Sequence, residues 1–283
     1  MWLNVVLLVA VLLVLALVIA GGAVRWRVGS ERIRRALEAG RVPVGPARHH
    51  ARDVEDLPAP VRRYFQLVLA EGQPIVAAAR IKQVGQFNRG TVRAQWNRFD
   101  AEQCVVTQRP GFDWDARIVM APGLSVRVHD AYVNGEGLLH AAMSGLITLA
   151  EVRGGADVAQ GELMRFLAEA AWYPTALLPS QGVHWEAIDD VSARATLCDG
   201  PSRVSLVFEF DADGLVCGAR ACSRQRMVAG GFVPTPWRGR FWNYAVRDGM
   251  RIPLEGEVAW ERPDGLWPYW RGRITDIVYD VAR

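Results

Sequence analysis

The sequence predicts a mainly β protein of the α+β class: a large, curved antiparallel sheet, forming a half-barrel or partial barrel, with a central covering helix and one transmembrane helix in front. From Ile75 onward, apolar residues recur with a period of two, which is typical of strands with one buried face. One strong helical pattern interrupts these strands, without the regular strand–helix alternation of a parallel sheet. The start of the chain, in contrast, is almost entirely apolar.

The segment 2–24 has the length and composition of a membrane-spanning helix. Asn4 is its only polar side chain, and a helix needs roughly 20 apolar residues to cross the hydrocarbon core. Small residues at 20–23 leave a cleaved signal peptide as the alternative, although no Lys or Arg precedes the apolar run as in secretory signals. The sequence therefore predicts a single-pass protein held in the membrane by this helix.

A basic collar follows the apolar run and predicts the orientation. Eight arginines against two glutamates lie between residues 25 and 52. Because positively charged segments next to a membrane-spanning helix tend to remain in the cytoplasm, the domain that follows the collar is expected in the cytoplasm. A periplasmic or other extracytoplasmic location is the alternative. The first arginines of the collar are Arg25, Arg27, Arg32, Arg34 and Arg35.

The rest of the chain divides into two parts. Residues 25–56 are predicted to form a basic juxtamembrane helix, with Ser30 as its N-cap and Gly40 at its end, followed by a tether. Residues 57–283 are predicted to form one soluble antiparallel β-rich domain.

That domain opens with an amphipathic helix. Prolines at 58 and 60 suit a first helical turn, and Gly72 marks the end of the pattern. Since the apolar stripe contains a tyrosine and a phenylalanine, we expect it to pack on the domain, with a position on the membrane surface as the alternative. The stripe consists of Val61, Tyr64, Phe65, Val68 and Leu69.

Three hairpins are predicted among the strands. Asn134-Gly135 between alternating apolar residues is a strong two-residue turn signal, and it sets Val133 opposite Glu136 and Val128 opposite Ala141. A four-residue loop at 211–214 would set Phe208 opposite Cys217 and Leu206 opposite Ala219. A three-residue loop at 247–249 would set Val246 opposite Met250 and leave Gly249 free to take a positive φ.

One further helix is predicted between the two blocks of strands. Leu163, Phe166, Leu167 and Ala170 lie at i, i+3, i+4 and i+7, and Pro174 ends the pattern. We expect this helix to cover the concave side of the sheet or its mouth.

Composition narrows the classes of function. The formal net charge of +3 is small and concentrated in the collar, so no nucleic-acid surface is predicted. No metal or cofactor is predicted, since the cysteines lack Cys-x-x-Cys spacing and no two histidines are spaced as ligands. Eleven tryptophans favour a core or cavity lined with aromatic rings. The cysteines, interpreted as buried free thiols with a disulfide left open, are Cys104, Cys198, Cys217 and Cys222.

The central helix carries the first candidate site. Glu162, Arg165, Glu169 and Trp172 are spaced i, i+3, i+7 and i+10, so they share one stripe. Facing a cavity, an arginine and two carboxylates beside an indole could hold a polar head group or act as general acid and base. The alternative is an exposed, ion-paired helix face.

Asp130 is the second candidate. Strand parity puts its carboxylate on the same face as Val128 and Tyr132, where it must find a partner or raise its pKa. Arg117 and Arg165 are available partners, and a buried structural ion pair is the alternative. The predicted ligand-binding residues are Asp130, Arg165, Glu169, Trp172, Trp185 and Trp242.

Four segments of the sequence are similar to segments of a known protein family. They are LPAPVRRYF at 57–65, GELMRFLAE at 161–169, WYPTALLP at 172–179 and VHWEAID at 183–189. Together they resemble a bacterial family of unknown function over roughly residues 55–281, so the resemblance implies no activity. The predicted architecture also resembles the lipoprotein-carrier fold, which holds acyl chains outside the inner membrane, although architecture does not establish function. This second resemblance favours an extracytoplasmic domain.

We therefore expect a membrane-anchored binding module whose curved sheet encloses an apolar or lipid-like ligand. An enzyme acting on a membrane-derived substrate through Arg165, Glu169 and Asp130 is one alternative, and whether the protein is an enzyme stays open. A scaffold that recruits a protein partner through a sheet edge or the helix at 60–70 is the other.

Overall fold

One antiparallel sheet dominates the computed structural model, which describes residues 2–229 and 231–282, apart from the side chains of residues 8, 11, 12, 15 and 16. Thirteen strands are found within these residues. They are β1 (Val76–Asn88), β2 (Trp96–Val106), β3 (Gly111–Ala121), β4 (Leu124–Val133), β5 (Glu136–Met143), β6 (Ile147–Arg153), β7 (His184–Asp189), β8 (Ser192–Asp199), β9 (Ser202–Phe210), β10 (Val216–Val228), β11 (Gly231–Arg247), β12 (Met250–Arg262) and β13 (Gly265–Val281).

The strand order makes this sheet an open meander. It runs β6-β5-β4-β3-β2-β1-β13-β12-β11-β10-β9-β8-β7, so the first and last strands pair at its centre and β6 and β7 are its edges. The helix α3 (Ala156–Glu169) and three short 3₁₀ helices, Ala170–Trp172, Pro174–Leu177 and Pro179–Gln181, connect the two edges. Because α3 contacts both β4–β5 and β9–β10, the sheet must curve around it. The predicted curved antiparallel sheet with a central covering helix is confirmed.

The helix α2 (Ala59–Val68) closes the core at another side of the sheet. All five residues of its predicted stripe are buried, and the helix packs against β8 and β12. Burying an aliphatic or aromatic side chain of this size contributes about 1.5–3 kcal/mol. The predicted packing is therefore confirmed, and the apolar face of α2 is not free to recruit a partner.

The Asn134-Gly135 hairpin forms with the predicted register. Val133 pairs with Glu136 and Val128 pairs with Ala141. Asn134 and Gly135 have φ values of 54° and 88°, as a two-residue turn that follows the twist of its strands requires.

The predicted registers of the other two hairpins are wrong. Phe208 pairs with Ala219 rather than Cys217, because a register shift between Val216 and Gly218 adds a residue to β10. At the third turn, Val246 pairs with Arg251 across a two-residue loop. We expected a three-residue loop because it matched apolar residues, but Val246 is 62 % exposed and its face is not constrained by the core.

The N-terminal helix α1 runs without a break over Trp2–Ala39, so Ser30 is not the N-cap of a separate helix. The second half of α1 packs on the convex face of β2, β3 and β4. Trp26 and Leu37 are buried there, and Gly22 lies so close to Leu146 that a Cβ atom would not fit. Ser30 is an interior residue of a docked helix.

The predicted membrane localisation is wrong on this structure. Among the described residues, no helix is both long enough and apolar enough for a membrane crossing. The predicted single-pass location is corrected accordingly. The prediction rested on the number of consecutive apolar residues in the segment 2–24. The structure shows that α1 packs on the protein from Gly22 onward, so the end of that segment contacts protein.

Candidate functional site

The hollow of the sheet contains a cleft of about 470 Å³. It lies where the turns of β1–β2, β10–β11 and β12–β13 meet the first turns of α3. A smaller chamber of about 70 Å³ lies next to it, deeper under α3. Phe87, Asp130, Arg224 and Tyr269 line both spaces, so cleft and chamber form one candidate site.

Aromatic rings form much of the wall of this site. The Trp260 and Tyr269 rings stack with centroids 5.5 Å apart, and Trp172 lies 6.2 Å from Trp270. Such rings give a ligand a large apolar surface, and their N–H and O–H groups add polar contacts. The tryptophans at the cleft or the chamber are Trp114, Trp172, Trp237, Trp260, Trp267 and Trp270.

Arg165 lies at the centre of the first charged cluster. Its Nη1 donates to Asp130 Oδ2 over 2.6 Å, and its Nε donates to Glu169 Oε1 over 2.7 Å. Gln103 Nε2 donates to the other oxygen of Glu169 over 2.6 Å. Burial disfavours the charged guanidinium, but the carboxylates of Glu169 and Asp130 outweigh it and raise the pKa of Arg165. This arginine is fully compensated by two anions.

The second charged cluster pairs Glu162 with Arg224. Glu162 Oε1 lies 3.5 Å from Arg224 Nη2, a long contact. Glu162 Oε2 and Arg224 Nε are buried without a hydrogen-bond partner among the described residues. Burial, followed by the nearby Asp130 charge, raises the pKa of Glu162 to about 8. The Arg224 guanidinium lies 5.4 Å and 5.8 Å from the Trp237 and Trp260 rings.

The stripe on α3 explains why these groups converge. Since α3 crosses the hollow, one of its faces must meet the sheet, and that face carries Glu162, Arg165 and Glu169. The Arg165 and Glu169 side chains are only 12 % and 14 % exposed. The alternative of an exposed, ion-paired helix face is therefore wrong. Asp130 reaches the same site from β4, as strand parity predicted.

Two predicted site residues lie elsewhere. Trp185 is buried in the core against Phe208, and its Nε1 donates to the carbonyl oxygen of Leu177. Trp242 is 39 % exposed, and its Nε1 donates to Glu255 at the surface. Asp130, Arg165, Glu169 and Trp172 line the chamber, whereas Trp185 and Trp242 do not.

Arg224 is the main site residue that the sequence analysis missed. Ala219 and Ala221 face the core, so strict alternation along β10 would point Arg224 outward. A register shift between Ala221 and Arg224 inserts an extra residue and turns the arginine inward. A bulge of this kind leaves little trace in the amino-acid pattern.

A second polar cluster lies on the convex face, under α1. Ser30 Oγ donates to Asp115 Oδ2 over 2.7 Å and lies 3.1 Å from His129 Nε2, while His129 Nδ1 lies 2.8 Å from Asp113 Oδ1. The order Ser–His–Asp is that of a catalytic triad. However, Ser30 Oγ lies closer to Asp115 Oδ2 than to His129 Nε2 and also lies 3.2 Å from the carbonyl oxygen of Trp26. Because Ser30 is only 5 % exposed, this serine is not accessible as a nucleophile. The cluster anchors α1 to β3 and β4.

No three grouped His, Cys, Asp or Glu side chains that could hold a metal ion occur in residues 2–229 and 231–282. The aromatic walls and the two charged clusters are the distinctive features of the candidate site.

Comparisons with known proteins give a family and a set of similar structures. The structure is similar to a domain from Vibrio parahaemolyticus named for outer membrane lipoprotein sorting, with 11 % identity and a TM-score of 0.41 over 82 % of this chain and 92 % of that one. It is similar to a LolA superfamily protein from Nitrosomonas europaea, with 10 % identity and a TM-score of 0.32 over 77 % and 90 % of the two chains.

A β-barrel-like protein of another domain family of unknown function, from Brucella abortus, gives 11 % identity and a TM-score of 0.18 over 75 % of this chain and 99 % of that one. No curated protein matches the chain. A family model does match residues 55–279, which agrees with the resemblance drawn from the four sequence segments. The chain belongs to DUF6920, a family of unknown function.

Proposed function

We propose that this protein binds an apolar or amphipathic, lipid-like molecule in the hollow of its sheet. The observation that carries the proposal is the cleft of about 470 Å³, which shares part of its wall with a chamber lined by tryptophan and tyrosine rings. Ligand sites are typically concave, mostly apolar spaces of about 300–1,000 Å³ with a few polar groups that orient the ligand. Both features of such a site are present.

The polar groups of the site also favour a ligand. The buried indole N–H groups of Trp172 and Trp270 have no hydrogen-bond partner within the described part of the chain, and neither do Glu162 Oε2 and Arg224 Nε. An unsatisfied buried polar group costs about 1–3 kcal/mol. A bound molecule with its own donors and acceptors would recover part of this free energy.

The enzyme alternative receives less support. Asp130, Arg165 and Glu169 do converge, but both carboxylates are bonded to the arginine, and the Asp130 contact joins α3 to β4. An acid–base pair needs at least one group free to exchange a proton with a substrate. We therefore assign these three residues to positioning the walls of the site and propose no reaction.

Displacement of a fluorescent apolar probe tests this function. N-phenyl-1-naphthylamine, which fluoresces in apolar surroundings, is titrated into the full chain, and native mass spectrometry detects co-purifying lipid. Leu139→Trp adds bulk to the cleft wall and should lower the affinity for the probe at least about tenfold.

The matched control is Val246→Trp, which adds the same ring at an exposed turn position and should leave probe affinity unchanged. A protein that carries no lipid and gives no probe fluorescence would contradict the proposed function. Equal probe affinity in the two variants would place the binding site elsewhere.

A further inference from the structure

Arg224 is a buried cation with an incomplete set of partners. It is 9 % exposed, and Glu162 is the only carboxylate within salt-bridge distance of it among the described residues. That contact measures 3.5 Å, and Nη1 reaches only the neutral hydroxyl of Tyr269, at 3.3 Å. A guanidinium taken out of water normally recovers its hydration free energy through closely bonded anions.

Arg165 provides the internal comparison. It occupies the same hollow and has two carboxylates at 2.6 and 2.7 Å. Arg224 has none at that distance, and its Nε has no acceptor in the described part of the structure. The two arginines therefore differ in their partners. Two close carboxylates neutralise the charge of Arg165, whereas Arg224, at the wall of the cleft, has no carboxylate at that distance.

The hydroxyl of Tyr269 points to the same conclusion. Its oxygen accepts hydrogen bonds from Trp237 Nε1 over 2.9 Å and from Arg224 Nη1 over 3.3 Å. With both bonds accepted, the hydroxyl proton still needs an acceptor, and within residues 2–229 and 231–282 it has none. Arg224 and Tyr269 thus offer a charged and a neutral donor side by side, and both line the cleft and the chamber.

Resting on the function proposed above, we propose that Arg224 and Tyr269 bind the oxyanion head group, carboxylate or phosphate, of an amphipathic ligand whose apolar part lies along the tryptophan wall. A planar guanidinium whose one carboxylate partner lies as far away as 3.5 Å matches the charge and shape of these oxyanions. The guanidinium also lies over the rings of Trp237 and Trp260, whose faces attract a cation without neutralising its charge.

Glu162 makes this binding dependent on pH. A protonated Glu162 leaves Arg224 without an anionic partner, whereas an ionised Glu162 competes with the ligand for the guanidinium. The groups that face Glu162 are Arg165 and Glu169 on α3, Asp130 on β4 and Arg224 on β10. Because burial raises the pKa of Glu162, oxyanion affinity should fall as the pH rises through the weakly alkaline range.

The test compares dodecanoate and dodecyl phosphate with dodecanol, which has the same apolar chain and no charge. Each is used to displace N-phenyl-1-naphthylamine from the full chain at pH 7. The two anions should bind about 10- to 100-fold more tightly than the alcohol, the range expected for hydrogen bonds to a charged group. Acetate and inorganic phosphate, which lack the chain, should not displace the probe.

Variants assign the preference to named groups. Arg224→Met should abolish the preference for the anions, and its circular dichroism spectrum, unchanged from that of the wild type, should show that the variant is folded. Tyr269→Phe should reduce the preference about three- to tenfold, as expected for one neutral donor. Arg220→Met, on the same strand but bonded to Glu209 at the surface, is the matched control and should have no effect.

Glu162→Gln should make the anion preference independent of pH between about 7 and 9, where the wild type loses affinity. Equal affinities for dodecanoate and dodecanol in the wild type would overturn the oxyanion site and leave the proposed function standing. If neither displaces the probe, the proposed function itself fails. If acetate or phosphate binds as tightly as dodecanoate, the site takes a free anion and the amphipathic ligand is wrong.

Discussion

Arg165 Nη1 donates to Asp130 Oδ2 over 2.6 Å, and this contact joins α3 to β4 across the hollow of the sheet. With Glu169 as the second anion, the arginine holds the helix that connects the two edge strands. Both residues of this ion pair line the chamber, so the wall of the candidate site includes the contact between α3 and β4.

Removal of this arginine should destabilise the protein strongly. Arg165→Met leaves the carboxylates of Asp130 and Glu169 buried without their cation. Removing one partner of a buried ion pair lowers the free energy of unfolding by about 3–5 kcal/mol. Urea unfolding followed by circular dichroism measures the loss. Arg117→Met removes an exposed partner of Asp100 and should change the free energy of unfolding by less than about 1 kcal/mol. Similar losses in both variants would contradict a special role for Arg165.

The convex-face cluster should be needed for docking of α1. Ser30→Ala removes the hydroxyl that bonds to Asp115 and contacts His129, so buried polar groups lose a partner at a cost of about 1–3 kcal/mol. Hydrogen exchange should become faster in the second half of α1 before it does so in the sheet. The exposed Ser223→Ala serves as the control. Unchanged exchange in α1 of the Ser30 variant would show that the cluster does not hold the helix.

Much of the fold could be predicted because its signals are local. The stripe of α2 and the Asn134-Gly135 turn each act through neighbouring residues, and the structure confirms both. Matching of apolar residues failed at the turn after Val246, since that residue is exposed and no core selects the register. The register at Phe208 failed as well, although that residue is buried, because the extra residue in β10 between Val216 and Gly218 is not visible in the apolar pattern.

The site could be predicted only in part, for a related reason. The α3 stripe and the parity of Asp130 follow from helical and strand periods, so Arg165 and its two carboxylates could be named from the sequence. Arg224 could not, because the bulge after Ala221 reverses the direction that alternation assigns to it. Trp185 and Trp242 were chosen as large rings, and residue type alone does not separate core, surface and cavity.

The four cysteines should differ in reactivity. All four are free thiols; Cys198 and Cys222 are exposed, while Cys104 and Cys217 are partly buried, which corrects the expectation that all would be buried. Burial raises the pKa of the Cys104 thiol and lowers its thiolate fraction. Iodoacetamide at neutral pH should therefore label Cys198 and Cys222 first, as peptide mass spectrometry can measure. Early labelling of Cys104 would contradict its burial against α1.

The stability of the protein should decrease from mildly acidic to weakly alkaline pH because of Glu162. Burial raises the pKa of this carboxyl from 4.5 to about 8, so between these values the folded state binds a proton that the unfolded state has released. The stabilising contribution is complete below the unfolded pKa and is lost as the pH rises through the folded one. Glu162→Gln keeps the neutral form at every pH.

The difference in the free energy of unfolding between Glu162→Gln and the wild type should therefore grow in favour of the variant from pH 5 to pH 8.5, a range that spans the raised pKa. Urea unfolding at several pH values measures it, and taking the difference cancels the groups that titrate alike in both proteins. Glu255→Gln, at the surface beside Trp242, is the matched control and should give a constant difference over this range. A constant difference for Glu162→Gln as well would mean that Glu162 is ionised throughout and bonded to Arg224, and this would remove the free cation on which oxyanion binding depends.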